Sequence, residues 1–268
     1  EGYYMDYADA HGERLARALS SGFDYQGQLS RYLGRARGVP SGGQPPTAFV
    51  NFIQNHDQTG NRAFGERLAA LAEPAAVETL TAILLLSPQI PLLFMGEEWG
   101  ETRPFLFFTD FHGALADAVR EGRRGEFADW SAFSDPAIRE TIPDPNDPVT
   151  GDACRLDWAR LDRPEGAARR ALVKNLLDLR AAEIAPRLAG LADGSATGAA
   201  LSEGAAQVAW TLADGARLTL IANIADAPGP AVEVPPGEVL HETERGLAER
   251  LAAGAPLPGW SALWTLAR

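Results

Sequence analysis

The sequence of residues 48–62 is AFVNFIQNHDQTGNR. An apolar run at 49–53 ends in a cluster of polar side chains at 54–58. Apolar residues followed at once by turn-forming ones predict a buried strand and the loop that leaves its carboxyl end. In a barrel of alternating strands and helices, catalytic side chains lie at that edge. The donors and acceptors of this loop suit sugar hydroxyls, although the alternative is a polar loop in which Asp57 caps the next helix.

A second apolar run at 90–95 also ends in a polar turn, which contains Glu97, Glu98 and Trp99. Helical patterns at 62–72 and 75–86 lie between the two runs. Strand, helices and strand in this order predict neighbouring parallel strands. Further helices are expected at residues 9–20, 114–127 and 164–185.

The period of the apolar residues changes to two beyond residue 200. Residues 207–212 and 217–223 predict a β-hairpin. Later strands are expected at 230–234 and 261–266. A glycine-rich stretch near 190–200 marks the expected boundary, so we predict domains at 1–190 and 191–268, the second of them antiparallel β.

Composition excludes several classes of partner. The 268 residues are 46% hydrophobic and 22% charged, with a net charge of −12 and no basic run, so nucleic acid is not an expected partner. The most apolar stretch, residues 83–95, is interrupted by proline and is too short to span a bilayer. A single cysteine, Cys154, cannot form an internal disulfide. We expect a cytoplasmic protein that does not bind membranes.

Four separated segments resemble one protein family. They are FIQNHDQTGNR at 52–62, PLLFMGEEWG at 91–100, PFLFFTDFHGALADAVREGRRGEF at 104–127 and FDYQGQLSRYLGRARG at 23–38, together with the opening EGYY. They resemble the α-amylase superfamily of glycoside hydrolases, and within it the maltooligosyltrehalose trehalohydrolases. The resemblance implies an α/β fold: the last strands and helices of a (β/α)8 TIM barrel, then a C-terminal antiparallel β-sandwich. Residues 49–53 and 90–95 would be the seventh and eighth barrel strands.

The same resemblance implies roles for residues 55–58 of the polar loop. The family cleaves α-glycosidic bonds with retention, using an aspartate nucleophile, a carboxylic acid and a third carboxylate that holds sugar hydroxyls. By motif match Asp57 is this third carboxylate, the transition-state stabiliser. His56 would donate to a neighbouring hydroxyl, and Asn55 and Gln58 would line the same subsite. Glu97 would border the site.

Aromatic residues after the second strand are candidates for stacking on sugar rings. Trp99 is the first of them, followed by Phe105, Phe107 and Phe108. The alternative is that most of these rings are core beneath a long loop. The pair Asp110 and His112 fits no dedicated metal motif, so neither a metal nor an organic cofactor is expected. The charged helix at 117–127 is expected to be a solvated face.

The nucleophile and the acid belong to the fourth and fifth strands of the family barrel. The carboxylates upstream of Asp57 are Asp6, Asp9, Glu13 and Asp24, and none follows an apolar strand. We therefore expect a catalytically incompetent fragment that pairs with a missing N-terminal part or self-associates. The implied whole enzyme releases trehalose by hydrolysing the α-1,4 bond of maltooligosyltrehalose. The alternatives are another α-glucan hydrolase or branching enzyme, or a non-catalytic carbohydrate-binding module.

Overall fold

The computed structural model describes residues 2–268, which divide into two compact units. The sheet unit comprises residues 2–51, 74–92 and 174–268, and the loop-rich unit comprises residues 52–73 and 93–173. Each unit is thus built from separated stretches of chain. The domain boundary expected near residue 190 stays a prediction.

The regular elements are numbered in chain order. The α-helices of residues 2–268 are α1 (His11–Ser21), α2 (His56–Gly60), α3 (Leu68–Leu71), α4 (Pro74–Leu86), α5 (Ala114–Gly125), α6 (Pro136–Arg139), α7 (Pro148–Ala153), α8 (Pro164–Leu179) and α9 (Leu247–Ala252). The strands are β1 (Leu29–Ser30), β2 (Arg35–Ala36), β3 (Val50–Asn51), β4 (Ile90–Pro91), β5 (Ala196–Ala200), β6 (Ala205–Thr211), β7 (Arg217–Asn223), β8 (Glu238–Glu242) and β9 (Ser261–Ala267). Across residues 2–268, no helix is both long and apolar enough to cross a membrane.

The largest sheet has five antiparallel strands in the order β5-β6-β7-β9-β8. The predicted hairpin is confirmed as β6 and β7, in which Val208 lies opposite Leu220. The strand expected at 261–266 is confirmed as β9. The strand expected at 230–234 is wrong, because this stretch contributes only a single bridge at Ala231. Pro230, Pro235 and Pro236 have no N–H to donate to a ladder, and the sheet uses β8 instead.

A β-sandwich needs two facing sheets, and among residues 191–268 the described strands form a single sheet. The expected sandwich is therefore corrected to a helix-covered sheet. Helix α1 approaches so closely that a Cβ on Gly12 would lie 2.3 Å from the carbonyl oxygen of Ala205. A Cβ on Gly198 would likewise lie 2.5 Å from the carbonyl oxygen of Ala16. Glycine at these two positions lets the backbones of helix and sheet meet.

Buried aromatic and aliphatic side chains form the core around the five-stranded sheet. Trp210 and Trp264 are fully buried, and their rings stack with centroids 5.7 Å apart. Helix α9 adds Leu247 and Leu251 to a cluster that also contains Leu263. Apolar burial of this kind contributes roughly 1.5–3 kcal/mol for each large side chain.

Strands β3 and β4 form a separate parallel pair in the sheet unit, with Val50 opposite Ile90. The N–H of Ile90 donates to the carbonyl of Phe49 at 2.9 Å, and the N–H of Leu92 donates to the carbonyl of Asn51 at 2.8 Å. Helix α4 precedes β4, so the predicted strand–helix–strand order is confirmed, although each strand is shorter than its apolar run. Val50 and Ile90 remain 51% and 50% exposed, although parallel strands are normally covered on both faces.

Two helix predictions need correction. The pattern at 62–72 is helical only in α3, because Gly65 takes a left-handed conformation (φ 61°) and its carbonyl accepts from the N–H of Phe105 at 2.8 Å. The pattern at 164–185 is α8 followed by a wider π-helical turn at Arg180–Ile184. Arg180 there donates to the carbonyls of Leu85 at 3.0 Å and Gln89 at 2.8 Å. The other three helix predictions are confirmed by α1, α4 and α5.

Candidate functional site

The polar loop of the loop-rich unit is organised by the start of α2. The side chain of Asn55 caps this helix, since its Oδ1 accepts from the N–H of Asp57 at 2.8 Å. Gln58 returns the contact, because its Oε1 accepts from the N–H of Asn55 at 3.1 Å. This reciprocal arrangement is a capping box. The capping residue is therefore Asn55 and not Asp57. The Asp57 carboxylate is not needed as a hydrogen-bond acceptor for the first N–H groups of the helix.

Asp57 and His56 both face solvent. Their side chains are 66% and 69% exposed, and His56 Nε2 lies 3.3 Å from Asp57 Oδ1. The arrangement presents a carboxylate and an imidazole side by side at the beginning of a helix. Such a pair can accept from one hydroxyl of a sugar and donate to the next.

Gln54 connects this loop to the loop that follows β4. The residue is only 6% exposed, and its Oε1 accepts from the N–H of Leu68 at 3.0 Å. Its side chain also interacts with the carboxyl of Glu97 and acts to lower the pKa of that group. Gln54 was not among the residues expected to build the site. It supports the residues expected on the two loops by joining them.

Glu97 is 7% exposed, and its Oε2 accepts from the N–H of Phe94 at 2.7 Å. Burial raises the pKa of this carboxyl, although the hydrogen bonds from Phe94 and Gln54 act in the opposite direction. The hydrogen bond from the N–H of Phe94 to this carboxyl closes the turn that contains Glu97. That Glu97 borders the site stays a prediction, which the interaction of its carboxyl with Gln54 supports.

Arg67 is a second residue that the sequence did not single out. It is 1% exposed and donates to the carbonyl oxygens of Met95 and Arg103, each at 2.7 Å. The guanidinium also lies 4.8 Å from the ring centre of Phe94. Burial lowers the pKa of Arg67, against the attraction of Glu101 and Glu97. Arg67 therefore holds both ends of the segment in which Glu97 lies.

The aromatic candidates divide into buried and exposed rings. Trp99 is 4% exposed and packs on Trp158, with centroids 5.0 Å apart, while Trp158 is 63% exposed. A stacking role for Trp99 stays a prediction, and its ring is covered by protein in this structure. Phe107 and Phe108 are 41% and 47% exposed. A ligand can therefore reach these two rings and the ring of Trp158.

The carboxylates upstream of Asp57 lie in the sheet unit and have structural partners. Asp6 is fully buried and accepts from Ser30 Oγ at 2.6 Å. Asp9, Glu13 and Asp24 each form ion pairs with arginine side chains. None of the four follows a strand that ends at the polar loop. In this structure they serve the packing of the N-terminal segment.

Within residues 2–268, no group of three or more histidine, cysteine, aspartate or glutamate side chains is arranged to hold a metal ion. Asp110 and His112 are 3.9 Å apart, and their side chains are 98% and 86% exposed. Two exposed side chains at this distance do not form a coordination shell.

Comparison with known proteins identifies curated relatives of about two thirds of the chain. The family model described as "Domain of unknown function (DUF3459)" matches residues 193–264. The malto-oligosyltrehalose trehalohydrolase of Deinococcus radiodurans is 42% identical over 182 residues, which cover 67% of this chain and 30% of that enzyme. The enzyme of the same name from Mycobacterium tuberculosis is 35% identical over 185 residues, with the same coverage of 67% and 30%. The chain therefore spans about a third of the length of the curated relatives it matches.

Solved structures support the same relationship. A crystal structure from Salmonella typhimurium, provisionally named an alpha amylase, has a TM-score of 0.88 and 47% identity. The match covers 100% of this chain and 43% of the Salmonella protein. The catalytic module of the pneumococcal glycogen-degrading protein SpuA matches with a TM-score of 0.54 at 13% identity. The match covers 100% of this chain and 40% of the SpuA module, and it shows similarity of fold alone. The chain is thus homologous to the C-terminal region of the malto-oligosyltrehalose trehalohydrolases, within the α-amylase superfamily, as its motifs indicated.

Proposed function

We propose that this chain is the part of a trehalose-releasing glycoside hydrolase that supplies the third carboxylate, Asp57, and the sugar subsite around it. The substrate would be maltooligosyltrehalose, cleaved at the α-1,4 bond next to its terminal trehalose unit. The observation that supports this most directly is the capping box. Asn55 and Gln58 satisfy the backbone of the helix, so Asp57 and His56 remain open to a ligand.

In this proposal β3 and β4 are neighbouring strands of a (β/α)8 barrel, the seventh and the eighth. Three features support the assignment: the parallel pairing, the intervening helix α4, and the TM-score of 0.88 to a much longer protein. The half-exposed side chains of Val50 and Ile90 would then be covered by other barrel elements.

The chemical role of Asp57 follows from the charge that develops during cleavage. As the bond to the leaving oxygen breaks, the sugar ring flattens and gains positive charge. A carboxylate that accepts from ring hydroxyls binds this state more tightly than the ground state, and only such differential binding lowers a barrier. His56 would donate to the adjoining hydroxyl. The nucleophile and the general acid are proposed to come from polypeptide outside this chain.

Ligand binding by the chain itself tests the proposal. Ligand-observed NMR with maltooligosyltrehalose would compare the unaltered chain with Asp57→Ala and Asp110→Ala. Asp110 is a matched control, because it is also an exposed aspartate beside a histidine. Loss of a hydrogen bond to a charged group weakens binding by about tenfold or more, whereas the control is expected to change little. Equal binding by the two variants would count against Asp57.

Hydrolysis is tested with a longer protein. A chimera would join the preceding length of the Deinococcus radiodurans relative to this chain, with and without Asp57→Ala. Trehalose release that requires Asp57 supports the enzyme assignment. A folded chimera that binds the glucan without cleaving it would favour a carbohydrate-binding module. Asp57-dependent cleavage by the chain alone would overturn the placement of the missing carboxylates.

A second candidate is a general α-glucan hydrolase. It is favoured by the 47% identity to the Salmonella protein over the whole chain. The two candidates differ in the substrate that the chimera would cleave. Faster cleavage of plain maltooligosaccharides than of maltooligosyltrehalose of equal length would select the general hydrolase.

A further inference from the structure

A cavity of about 310 Å³ lies within the loop-rich unit beside α5. It is lined by Asn61, Phe107, Val119, Gly122, Arg123 and Glu126. Its size is at the lower end of the range found for small-molecule sites. The lining combines an aromatic ring, an amide, a carboxylate and a guanidinium.

Arg123 is a lining residue whose side chain is held in place by hydrogen bonds. The residue is 7% exposed, and its Nη2 donates to the carbonyls of Gly60 at 2.8 Å and Arg62 at 2.7 Å. Its Nη1 donates to Glu126 at 2.8 Å. The helix was expected to present only a solvated charged face, and this buried arginine corrects that expectation. A guanidinium held by three acceptors is ordered before any ligand arrives.

The cavity begins one helical turn away from the candidate carboxylate. Asn61 ends α2, and its N–H donates to the carbonyl oxygen of Asp57 at 2.9 Å. One turn of helix corresponds to about 5.4 Å along the axis, which is close to the length of one sugar ring. The exposed carboxylate of Asp57 and the cavity are therefore adjacent on one short helix.

The chemistry of the lining suits a pyranose ring. Phe107 is 41% exposed, and the guanidinium of Arg123 lies 5.6 Å from its ring centre, which orients the ring. A sugar presents apolar C–H faces that pack on an aromatic ring and a rim of hydroxyls that require polar partners. The side chain of Glu126 is 55% exposed and can accept from such hydroxyls, and the Asn61 amide can donate.

We propose that this cavity is a second glucan subsite, which binds the glucose unit next to the one held at Asp57. The proposal rests on the proposed function, because its ligand is the same α-glucan. Phe107 supplies the stacking surface, Glu126 and Asn61 bind hydroxyls, and Arg123 is a positioning residue. The subsite would favour longer glucans over short ones.

Two glycines of α5 provide a matched test. Gly122 lines the cavity, and a Cβ added there meets no atom within 4 Å. Gly125 lies on the same helix but does not line the cavity. A Cβ added there also meets no atom within 4 Å. Gly122→Leu therefore adds a side chain to the cavity at a position with room for its Cβ, and Gly125→Leu makes the same chemical change outside the lining.

The affinity of each variant for maltopentaose would be measured by ligand-observed NMR, next to the unaltered chain and Asp57→Ala. We expect Gly122→Leu to weaken binding about tenfold or more and Gly125→Leu to stay within about twofold. Phe107→Ala is expected to weaken binding, and Phe111→Ala, an equally exposed ring outside the cavity, is not.

The possible outcomes separate this inference from the proposed function. Equal affinity of the two leucine variants, with weaker binding by Asp57→Ala, would overturn the subsite and leave the proposed function standing. Failure of the unaltered chain to bind any glucan would overturn both. Weak binding by Gly122→Leu together with normal binding by Gly125→Leu supports both the cavity and its occupant.

Discussion

Arg123 of α5 donates to the carbonyl oxygen of Gly60, at a distance of 2.8 Å, and so satisfies the end of the helix that begins at His56. The last carbonyls of a helix have no partner within it. A buried arginine far along the chain supplies that partner here. The orientation of the short helix therefore depends on a residue in a different segment.

Replacing Arg123 with methionine is expected to destabilise the chain by about 3 kcal/mol, because buried carbonyls lose a charged donor. The measurement is urea denaturation followed by far-UV circular dichroism. Arg155→Met is the control, because this arginine side chain is 78% exposed and forms an ion pair with Asp152, one turn earlier. We expect the control to change stability by less than about 0.5 kcal/mol.

Glu97→Gln is expected to change how stability depends on pH. Burial raises the pKa of Glu97 in the folded state, so the folded chain holds this proton more tightly than the unfolded chain. Stability from this group is fully present below the pKa of the unfolded state, about 4.3, and is lost as pH rises through the pKa of the folded state. Glutamine keeps an acceptor for the N–H of Phe94 without the charge.

The measurement for Glu97→Gln is a series of urea midpoints from pH 4 to pH 8. We expect the variant to gain stability relative to the unaltered chain as pH increases. Parallel curves for the two proteins would contradict the placement of Glu97 in a desolvated environment.

Asp6→Asn is expected to have the opposite pH dependence. Removal from water alone would raise the pKa of Asp6. Hydrogen bonds from Ser30 Oγ and from the backbone N–H of Tyr32 outweigh this effect and lower the pKa. The stability from this carboxylate is present above the pKa of the unfolded state, about 3.9, and is lost as pH falls through the pKa of the folded state. The variant should be less stable at pH 7, and the difference should narrow at pH 3.

Thermal unfolding at the two pH values checks the Asp6 prediction. Asp110→Asn serves as the control, because this side chain is 98% exposed. A constant difference between Asp6→Asn and the unaltered chain across this range would show that the loss came from packing and not from charge.

Two glycines with similar backbone angles separate steric overlap from conformational strain. Gly38 has φ 74°, and a Cβ there would lie 2.0 Å from the carbonyl oxygen of Tyr25. Gly34 has φ 64° and no atom within 4 Å of its Cβ position. We expect Gly34→Ala to cost about 1 kcal/mol and Gly38→Ala roughly 3 kcal/mol or more. Chemical denaturation of both variants measures the difference, and equal losses would place Gly38 in open space.

The parts of the fold that the sequence predicted depend on local patterns. Alternating side chains predicted the β6–β7 hairpin, and two apolar runs with helices between them predicted the parallel pair β3 and β4. The lengths of those two strands were overestimated, since an apolar run shows burial but not how far a ladder extends. The single sheet was not foreseen, because the covering by α1 depends on a contact between Gly12 and Ala205.

The supports of the candidate site could not be predicted for a related reason. Arg67 and Arg123 lie in helical patterns where arginine is normally exposed. They are buried because carbonyl groups 28 and 63 residues distant in sequence accept from them. Gln54 similarly depends on Leu68 and Glu97. Exposed groups such as Asp57 were found through a motif, whereas these buried partners become visible only in three dimensions.

The strand order β5-β6-β7-β9-β8 also has a consequence for biosynthesis. Strand β9 is made after β8 but lies between β8 and β7, so β8 has no place in the sheet until β9 leaves the ribosome. During translation β7 therefore exposes the edge that β9 will occupy, and an uncovered edge invites pairing with other nascent chains. A pause late in synthesis would prolong that exposure, and chaperone binding to this edge would shorten it.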